Sequence, residues 1–158
     1  MKKGMIAALC TTAGMASGAL AVRKKWKERE TAIQALSNKH LTLFLLMNQW
    51  VKVKQENKSM GEYLKKNGYE KIAIYGMNYV GETLLDELAG SDVKVKYGID
   101  RNADSIYLNV DIVSPEESLG DVDAIIVTAI TYFDEIAEQL GKKTDAVILS
   151  LEDILNEI

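Results

Sequence analysis

Cysteine, histidine and proline are almost missing from this chain, which has one of each in 158 residues. A single cysteine excludes a disulfide framework, and one cysteine with one histidine cannot build a zinc cluster. Cys10 lies in an apolar run and His40 follows thirty residues later on a predicted helix. We therefore expect no catalytic Cys–His pair and no metal site.

Acidic residues are scarce in the first part of the chain, and basic residues are scarce in the rest. Residues 1–58 contain 11 Lys/Arg and 3 Asp/Glu, a net charge of +8, whereas residues 59–158 contain 8 and 20, a net charge of −12. The acidic part repels nucleic acid, and the basic part favours an anionic surface such as a membrane. We expect no nucleic-acid partner.

Charged residues are absent from residues 4–22, and nineteen residues are about the length of a helix that crosses a bilayer core of roughly 30 Å. The sequence RKKWKER follows directly, and its five positive charges favour the cytoplasmic side. We predict a transmembrane anchor over residues 1–22, in the inner (cytoplasmic) membrane, with the main body in the cytoplasm. A cleaved signal peptide and a soluble or peripheral helix are the alternatives.

Proline and glycine are both absent between residues 24 and 58, so nothing there interrupts a helix. Apolar residues recur at alternating three- and four-residue steps, and the middle of the stretch is apolar on nearly every side. This pattern predicts a basic juxtamembrane and linking helix over residues 23–58. Its 33–51 part should pack on the C-terminal domain or on a second copy. The side chains expected to be buried are Leu43, Phe44, Met47 and Trp50.

After residue 70 the pattern changes to short apolar runs that alternate with amphipathic segments. Strands are predicted over residues 71–75, 93–100, 110–113, 123–130 and 146–151. Helices are predicted after the first strand, from Ser114, around Phe133–Leu140 and after Ser150. Such alternation is typical of an α/β fold with a doubly wound parallel sheet. A glycine turn after the first strand indicates a Rossmann-like domain over residues 59–158, with strand order 3-2-1-4-5.

The stretch IAIYGMNYVGETLLDEL carries a modified dinucleotide fingerprint, G-x-G-x-x-G. Gly76 permits the turn out of the strand, and Gly81 lets the helix lie close to the sheet. Asn78 replaces the middle glycine, so its side chain either fills space that a phosphate needs or donates an amide hydrogen to it. Asp100, nineteen residues after Gly81, is placed to bind a ribose diol.

These features predict a binding site for a nucleotide, a nucleotide-sugar or NAD(P). Its predicted residues are Gly76, Met77, Asn78, Tyr79, Val80, Gly81, Asp100 and Arg101. We predict no catalytic residue, because the Y-x-x-x-K pair of short-chain dehydrogenases is missing and no nucleophile or metal motif is present.

Residues 70–130 resemble the small Rossmann-like domains of bacterial surface-polysaccharide synthesis proteins. Those domains precede sugar acetyltransferase domains or form the regulatory domain of nucleotide-sugar dehydratases. Asn78 departs from their pattern. The residues that match it are Gly76, Gly81, Gly98, Ile99, Asp100, Asp123, Val127, Thr128 and Ala129.

The resemblance implies nucleotide or nucleotide-sugar binding without chemistry. It also implies a polysaccharide-assembly protein as a partner for the 33–51 helix. The resulting hypothesis is a membrane-tethered, non-catalytic nucleotide-binding accessory protein in polysaccharide biosynthesis. The alternative is a protein-interaction module whose degenerate Rossmann domain binds no nucleotide.

Overall fold

A computed structural model describes the backbone of residues 2–158 and the side chains of residues 22–158. Its helices are α1 (Lys2–Gln55), α2 (Met60–Lys66), α3 (Tyr79–Leu88), α4 (Phe133–Leu140) and α5 (Leu151–Glu157). Its strands are β1 (Lys71–Tyr75), β2 (Lys94–Ile99), β3 (Ile112–Val113), β4 (Ala124–Val127) and β5 (Val147–Ser150).

The strands form one parallel sheet in the order β3-β2-β1-β4-β5. This confirms the predicted α/β class, the five-stranded parallel sheet with order 3-2-1-4-5, and the long helix that precedes it. Parallel neighbours require a connection that crosses back over the sheet, and a helix lies in this connection between β1 and β2 (α3) and between β4 and β5 (α4).

The sheet is buried most deeply at its central strand, β1, and at the neighbouring strand β4. Ala73 and Tyr75 of β1 belong to a buried cluster that includes Ile136 and Leu140 of α4. Because side chains alternate along a strand, Ile72 and Ile74 lie on the opposite face, and both are fully buried. Apolar residues on both faces explain why these strands read as continuous apolar runs.

The prediction of a helix from Ser114 is wrong, although the hydrogen bonds typical of a helix N-terminus form there. Ser114 N donates to Glu117 Oε1 at 2.8 Å, and Glu116 N donates to Ser114 Oγ at 3.3 Å. The chain then leaves the turn, because Leu119 packs against the α4 cluster and the Gly120 carbonyl accepts from the Tyr97 hydroxyl at 2.7 Å. Tertiary contacts thus override a local helix-start signal.

The chain divides into two compact units, residues 1–43 and 44–158. Within the second unit, the last turns of α1 bury one side of the helix through Leu46, Trp50 and Val53, each 3% exposed. The expectation that Phe44 is buried is wrong, since its side chain is 67% exposed. Leu43 and Met47 are half-buried. Leu46, Trp50 and Val53 follow one another at steps of four and three residues, so they lie on one side of the helix and the opposite side is uncovered.

Among the residues with described side chains, no helix is long and apolar enough to cross a membrane. The predicted anchor lies outside these residues except for Val22, so it stays a prediction. The predicted domain boundaries at residues 22 and 58 also stay predictions.

Glu87 joins three helices within the second unit. Its carboxylate accepts from the Trp50 indole N–H of α1, from Lys54 Nζ at 3.2 Å and from the Met60 backbone N–H of α2 at 3.2 Å. The Glu87 side chain is only 7% exposed. A buried indole N–H and a helix-start N–H are satisfied by one charged acceptor, which makes this carboxylate costly to remove.

We expect Glu87→Ala to lower the free energy of unfolding by about 1.5–3 kcal/mol, the range for a hydrogen bond to a charged group. Urea unfolding of the full chain, followed by intrinsic fluorescence, measures this change. Asp86→Ala removes the same charge from an exposed neighbour on α3 and should change stability by less than about 0.5 kcal/mol. Equal effects of the two substitutions would contradict the role given to Glu87.

Candidate functional site

The carboxyl ends of β1, β2 and β4 meet at one edge of the sheet, because Tyr75 pairs with both Ile99 and Val127. A cleft of ≈ 380 Å³ opens at this edge. In parallel α/β sheets, this edge is where ligands bind. The cleft is lined by Tyr75, Gly76, Asn78, Asp100, Arg101, Asn102, Ala129, Tyr132, Glu135 and Ile136.

The turn after β1 is fixed at Gly76, which adopts φ +94°. This left-handed conformation favours glycine. Gly76 N donates to the Ile99 carbonyl at 2.8 Å. The buried Thr128 hydroxyl lies 2.6 Å from the Gly76 carbonyl oxygen and 3.1 Å from that of Tyr75, and it donates toward both. The turn is therefore held by both strands that flank β1.

Gly81, in the first turn of α3, lies against the same glycine turn. A Cβ atom at position 81 would come within 2.3 Å of the Gly76 carbonyl oxygen and 3.1 Å of its carbon. Both atoms belong to the backbone, so they cannot move aside as a flexible side chain would. The sequence-based role of Gly81, close packing of the helix on the sheet, agrees with this geometry.

Asn78 is the N-cap of α3. Its Oδ1 accepts from Val80 N at 3.0 Å, and its backbone is extended, with φ −91° and ψ −169°. Asparagine is among the preferred N-cap residues because its side chain satisfies a helix N–H that has no partner within the helix. Since the amide oxygen faces Val80, the NH₂ group lies on the other side of the carboxamide.

Asp100 connects the end of β2 to the glycine turn. Its Oδ2 accepts from Met77 N at 2.9 Å, and its Oδ1 accepts from Asn102 N at 2.9 Å. The carboxylate is half-buried and lines the cleft. An ionised carboxylate has about four acceptor positions, so two remain for a ligand hydroxyl. Asp100 therefore holds the turn and still offers acceptors to the cleft.

The predicted site residues occupy three kinds of position. Those that line the cleft are Gly76, Asn78, Asp100 and Arg101. Those buried beneath the turn are Met77, Val80 and Gly81. Tyr79 is 89% exposed and does not line the cleft.

Met77 supports the turn from below. A Cβ atom at Gly98 would lie 2.7 Å from Met77 Cγ, so the glycine in β2 leaves room for this methionine. Met77 is 2% exposed, and its backbone N–H, not its side chain, takes part in the turn. Its role is packing.

One side of the cleft was not predicted from the sequence, and it is formed by Tyr132, the N-cap of α4, with Glu135 and Ile136 of α4. A usable signal was present. In the strand order 3-2-1-4-5, β4 lies beside β1, so the first turn of the helix after β4 faces the same edge. Ala129 and Asn102, each just beyond a strand end, follow from the same reasoning.

The charges in the cleft are mixed. Asp100 and Glu135 carry negative charge, and Arg101 carries the positive charge among the lining residues. Carboxylates accept hydrogen bonds from sugar hydroxyls or base amino groups, and a guanidinium binds phosphate. The lining therefore suits a ligand with a hydroxylated, uncharged part beside an anionic part. It holds no histidine, cysteine, serine or lysine.

Asp123, which matches the resembled pattern, lies at the opposite end of β4. Its Oδ2 accepts from Lys71 N at 2.7 Å and Glu70 N at 2.9 Å. These backbone hydrogen bonds, that from Lys71 first, lower the pKa of Asp123 below its ordinary value. Asp123 ties the start of β1 to β4 and takes no part in the cleft.

Within residues 22–158, no group of three or more histidine, cysteine, aspartate or glutamate side chains is placed to hold a metal ion. A family model described as C2185-like, N-terminal, matches residues 68–147, which are 80 of the 158 residues. The match covers the strands and helices that build the cleft. Neither the curated proteins nor the solved structures compared with the chain include a significant match.

We expect Gly81→Ala to lower the free energy of unfolding by about 1–3 kcal/mol, because the added methyl group overlaps backbone atoms of Gly76. Urea unfolding measures the change. Gly141→Ala is the matched control, since Gly141 has φ −61° and the nearest atom to its added Cβ lies at 3.2 Å. The control should change stability by less than about 0.5 kcal/mol. Wild-type stability of Gly81→Ala would contradict the close approach.

Proposed function

The chain belongs to the C2185-like N-terminal family, and we propose that its parallel-sheet domain binds a nucleotide or nucleotide-sugar without catalysing a reaction. The observation that carries this proposal is the cleft at the carboxyl ends of β1, β2 and β4, bounded by Gly76, Asn78 and Asp100. A doubly wound, Rossmann-like sheet presents strand ends and a helix N-terminus together at this place. Family membership and fold by themselves name no ligand.

The ligand's phosphate groups are proposed to lie at the N-terminus of α3. The first N–H groups of a helix have no partner within it, and the helix dipole favours negative charge there. Asn78 satisfies one of these N–H groups, that of Val80, and its own NH₂ group is a further donor for a phosphate oxygen. Asn78 then replaces the glycine of the fingerprint as a donor rather than as an obstacle.

The sugar of the nucleotide is proposed to lie beside Asp100. Ribose hydroxyls can donate to the carboxylate positions that the turn leaves open. Glu135 lines the same cleft from α4 and offers a second acceptor for the sugar hydroxyls. Arg101, which follows Asp100 directly and also lines the cleft, can bind a phosphate group of the ligand. NAD(P) remains within this ligand class.

Membrane attachment and the pathway rest on the sequence alone. The charge-free run at residues 4–22 and its basic flank support a membrane-tethered protein with a cytoplasmic body. The resemblance to domains of surface-polysaccharide proteins supports a place in that biosynthesis, with a polysaccharide-assembly protein or a second copy of this chain as partner of the 33–51 helix. No reaction is proposed, because the cleft lining offers no nucleophile paired with a base.

The alternative is an interaction module that binds no nucleotide. One observation favours it. The two Asp100 oxygens and the Asn78 amide oxygen already accept backbone hydrogen bonds, so these residues have structural roles without any ligand. Ligand binding to the wild-type chain separates the two functions.

We expect a panel of nucleotides, nucleotide-sugars and NAD(P), tested by thermal shift on the full chain, to contain a ligand that stabilises the protein. At a concentration of about 100 times its dissociation constant, the ligand should add about 2.7 kcal/mol to the free energy of unfolding. If no member of the panel stabilises the wild type, the interaction module is the better account.

With the ligand found, Asp100→Asn should weaken its binding at least about tenfold, because a charged acceptor for a sugar hydroxyl is lost. Asp104→Ala is the control, since Asp104 is exposed in the turn after β2 and does not line the cleft. Asn78→Gly tests the donor role, because glycine at an N-cap costs the helix only a few tenths of a kcal/mol. Weaker binding supports a donated hydrogen bond, and tighter binding shows that Asn78 obstructs the phosphate.

We expect the full chain to fractionate with the inner membrane and to retain residues 1–22, as shown by its intact mass. A reporter fused after Ile158 should be active only if it functions in the cytoplasm, because the RKKWKER flank stays on that side. Activity of a periplasmic reporter would contradict the orientation. Release from the membrane without detergent, or a mass lacking the first 22 residues, would contradict the anchor.

A further inference from the structure

Residues 22–43 of α1, the first whose side chains the structure describes, carry an apolar stripe at coiled-coil spacing. Steps of four and three residues alternate through Val22, Trp26, Arg29, Ile33, Leu36, His40 and Leu43. This is the a and d pattern of a heptad repeat. Within the stripe, the exposed fractions are 69% at Trp26, 63% at Ile33, 56% at Val22 and 55% at Leu36. Large apolar side chains at this spacing favour burial against another helix.

The surface of the helix already has the shape that such a partner needs. A mostly apolar depression of ≈ 260 Å³ is lined by Val22, Lys25, Trp26 and Arg29. In heptad terms, these residues are d, g, a and d. Four residues in this arrangement form the hole that receives one side chain of the facing helix in knobs-into-holes packing. The knob for this hole is an a residue, the position that Trp26 occupies.

We propose that residues 22–43 of α1 pair with the same residues of a second copy as a parallel, in-register, two-stranded coiled coil. This pairing makes the stripe self-complementary, because each copy supplies both the hole and the side chain that fills it. It lies outside the cleft and does not depend on a bound nucleotide.

Charge favours the parallel arrangement. Lys25 is a g residue and Glu30 is the e residue that follows it by five positions. In a parallel pair, g of one helix faces this e residue of the other, so Lys25 meets Glu30 twice across the dimer. An antiparallel pair brings g residues together, and the charged g residues of this segment, Lys25 and Lys39, are both cationic.

Two polar residues in the stripe favour two strands and one register. His40 occupies an a position and Arg29 a d position. A polar residue at a single a position specifies register and oligomer state, at a cost in stability. Arg29 can cover apolar surface with its stem while its guanidinium reaches solvent at the edge of a two-stranded seam.

The oligomeric state of the full chain, measured in detergent by light scattering and sedimentation, tests the pairing. We expect a dimer for the wild type. The double substitution Ile33→Asp with Leu36→Asp should raise the dissociation constant at least about tenfold, because it places carboxylates in the apolar seam. Ala35→Asp with Asn38→Asp has the same spacing outside the stripe and should leave the dimer intact. Circular dichroism checks that both variants keep the helix.

A monomeric wild type, a trimer or larger assembly, or a dimer unaffected by the stripe substitutions overturns the proposal. Cross-linking tests the register in the same full chain, with Cys10→Ser as background. Ile33→Cys should form a disulfide-linked dimer, because equivalent a residues face each other in an in-register parallel pair. Ala35→Cys should not. Cross-linking at residue 35 in place of residue 33 would contradict the stated geometry.

Discussion

The start of α3 lies so close to the β1–α3 turn that only a hydrogen fits at position 81. A Cβ atom there would come within 2.3 Å of the Gly76 carbonyl oxygen. That oxygen is also held by Thr128 of the β4 end, and the Met77 N–H is held by Asp100 of the β2 end. The helix N-terminus, the glycine turn and three strand ends are therefore fixed as one assembly, and the cleft is the space that they leave. Its shape depends on this close approach.

The hydrogen bonds within the turn and those to the proposed ligand use different donor and acceptor positions of the same two residues, Asp100 and Asn78. The Asp100 carboxylate accepts hydrogen bonds from Met77 N and Asn102 N, which occupy two of its about four acceptor positions. The amide oxygen of Asn78 accepts from Val80 N, and its NH₂ group is left as a donor for the proposed ligand. Because backbone hydrogen bonds already position these side chains, the proposed ligand would lose less entropy on binding. The residues whose hydrogen bonds hold the turn are thus the ones that the proposed nucleotide would contact.

The sequence was most informative where local pattern and tertiary structure agree. β1 and α4 have the predicted bounds, Lys71–Tyr75 and Phe133–Leu140, and the glycine turn is in its expected place. The prediction was wrong at Ser114, where the hydrogen bonds of a helix start form but no helix follows. There, Leu119 packs into the buried cluster and Gly120 accepts a hydrogen bond from Tyr97. The prediction was also wrong at Phe44, because composition shows that a helix is apolar without showing which side is covered.

The contacts that join distant parts of the chain were beyond sequence reasoning. Trp50 and Glu87 are 37 residues apart, and no spacing rule links an indole on one helix to a carboxylate on another. Tyr132 and Glu135 were missed for a different reason. The predicted strand order placed α4 beside the cleft, but identifying the side chains that reach it requires the helix position that packing on the sheet determines.

Hydrogen–deuterium exchange of the full chain, with and without a saturating nucleotide, tests the central claim most directly because it locates binding along the sequence. The account predicts slower exchange in peptides covering residues 76–81 and 100–102, where the turn, the N-terminus of α3 and Asp100 surround the ligand. Peptides covering α2, at residues 60–66, should be unchanged. Protection that leaves residues 76–81 unaffected, or no protection with any nucleotide, would contradict it.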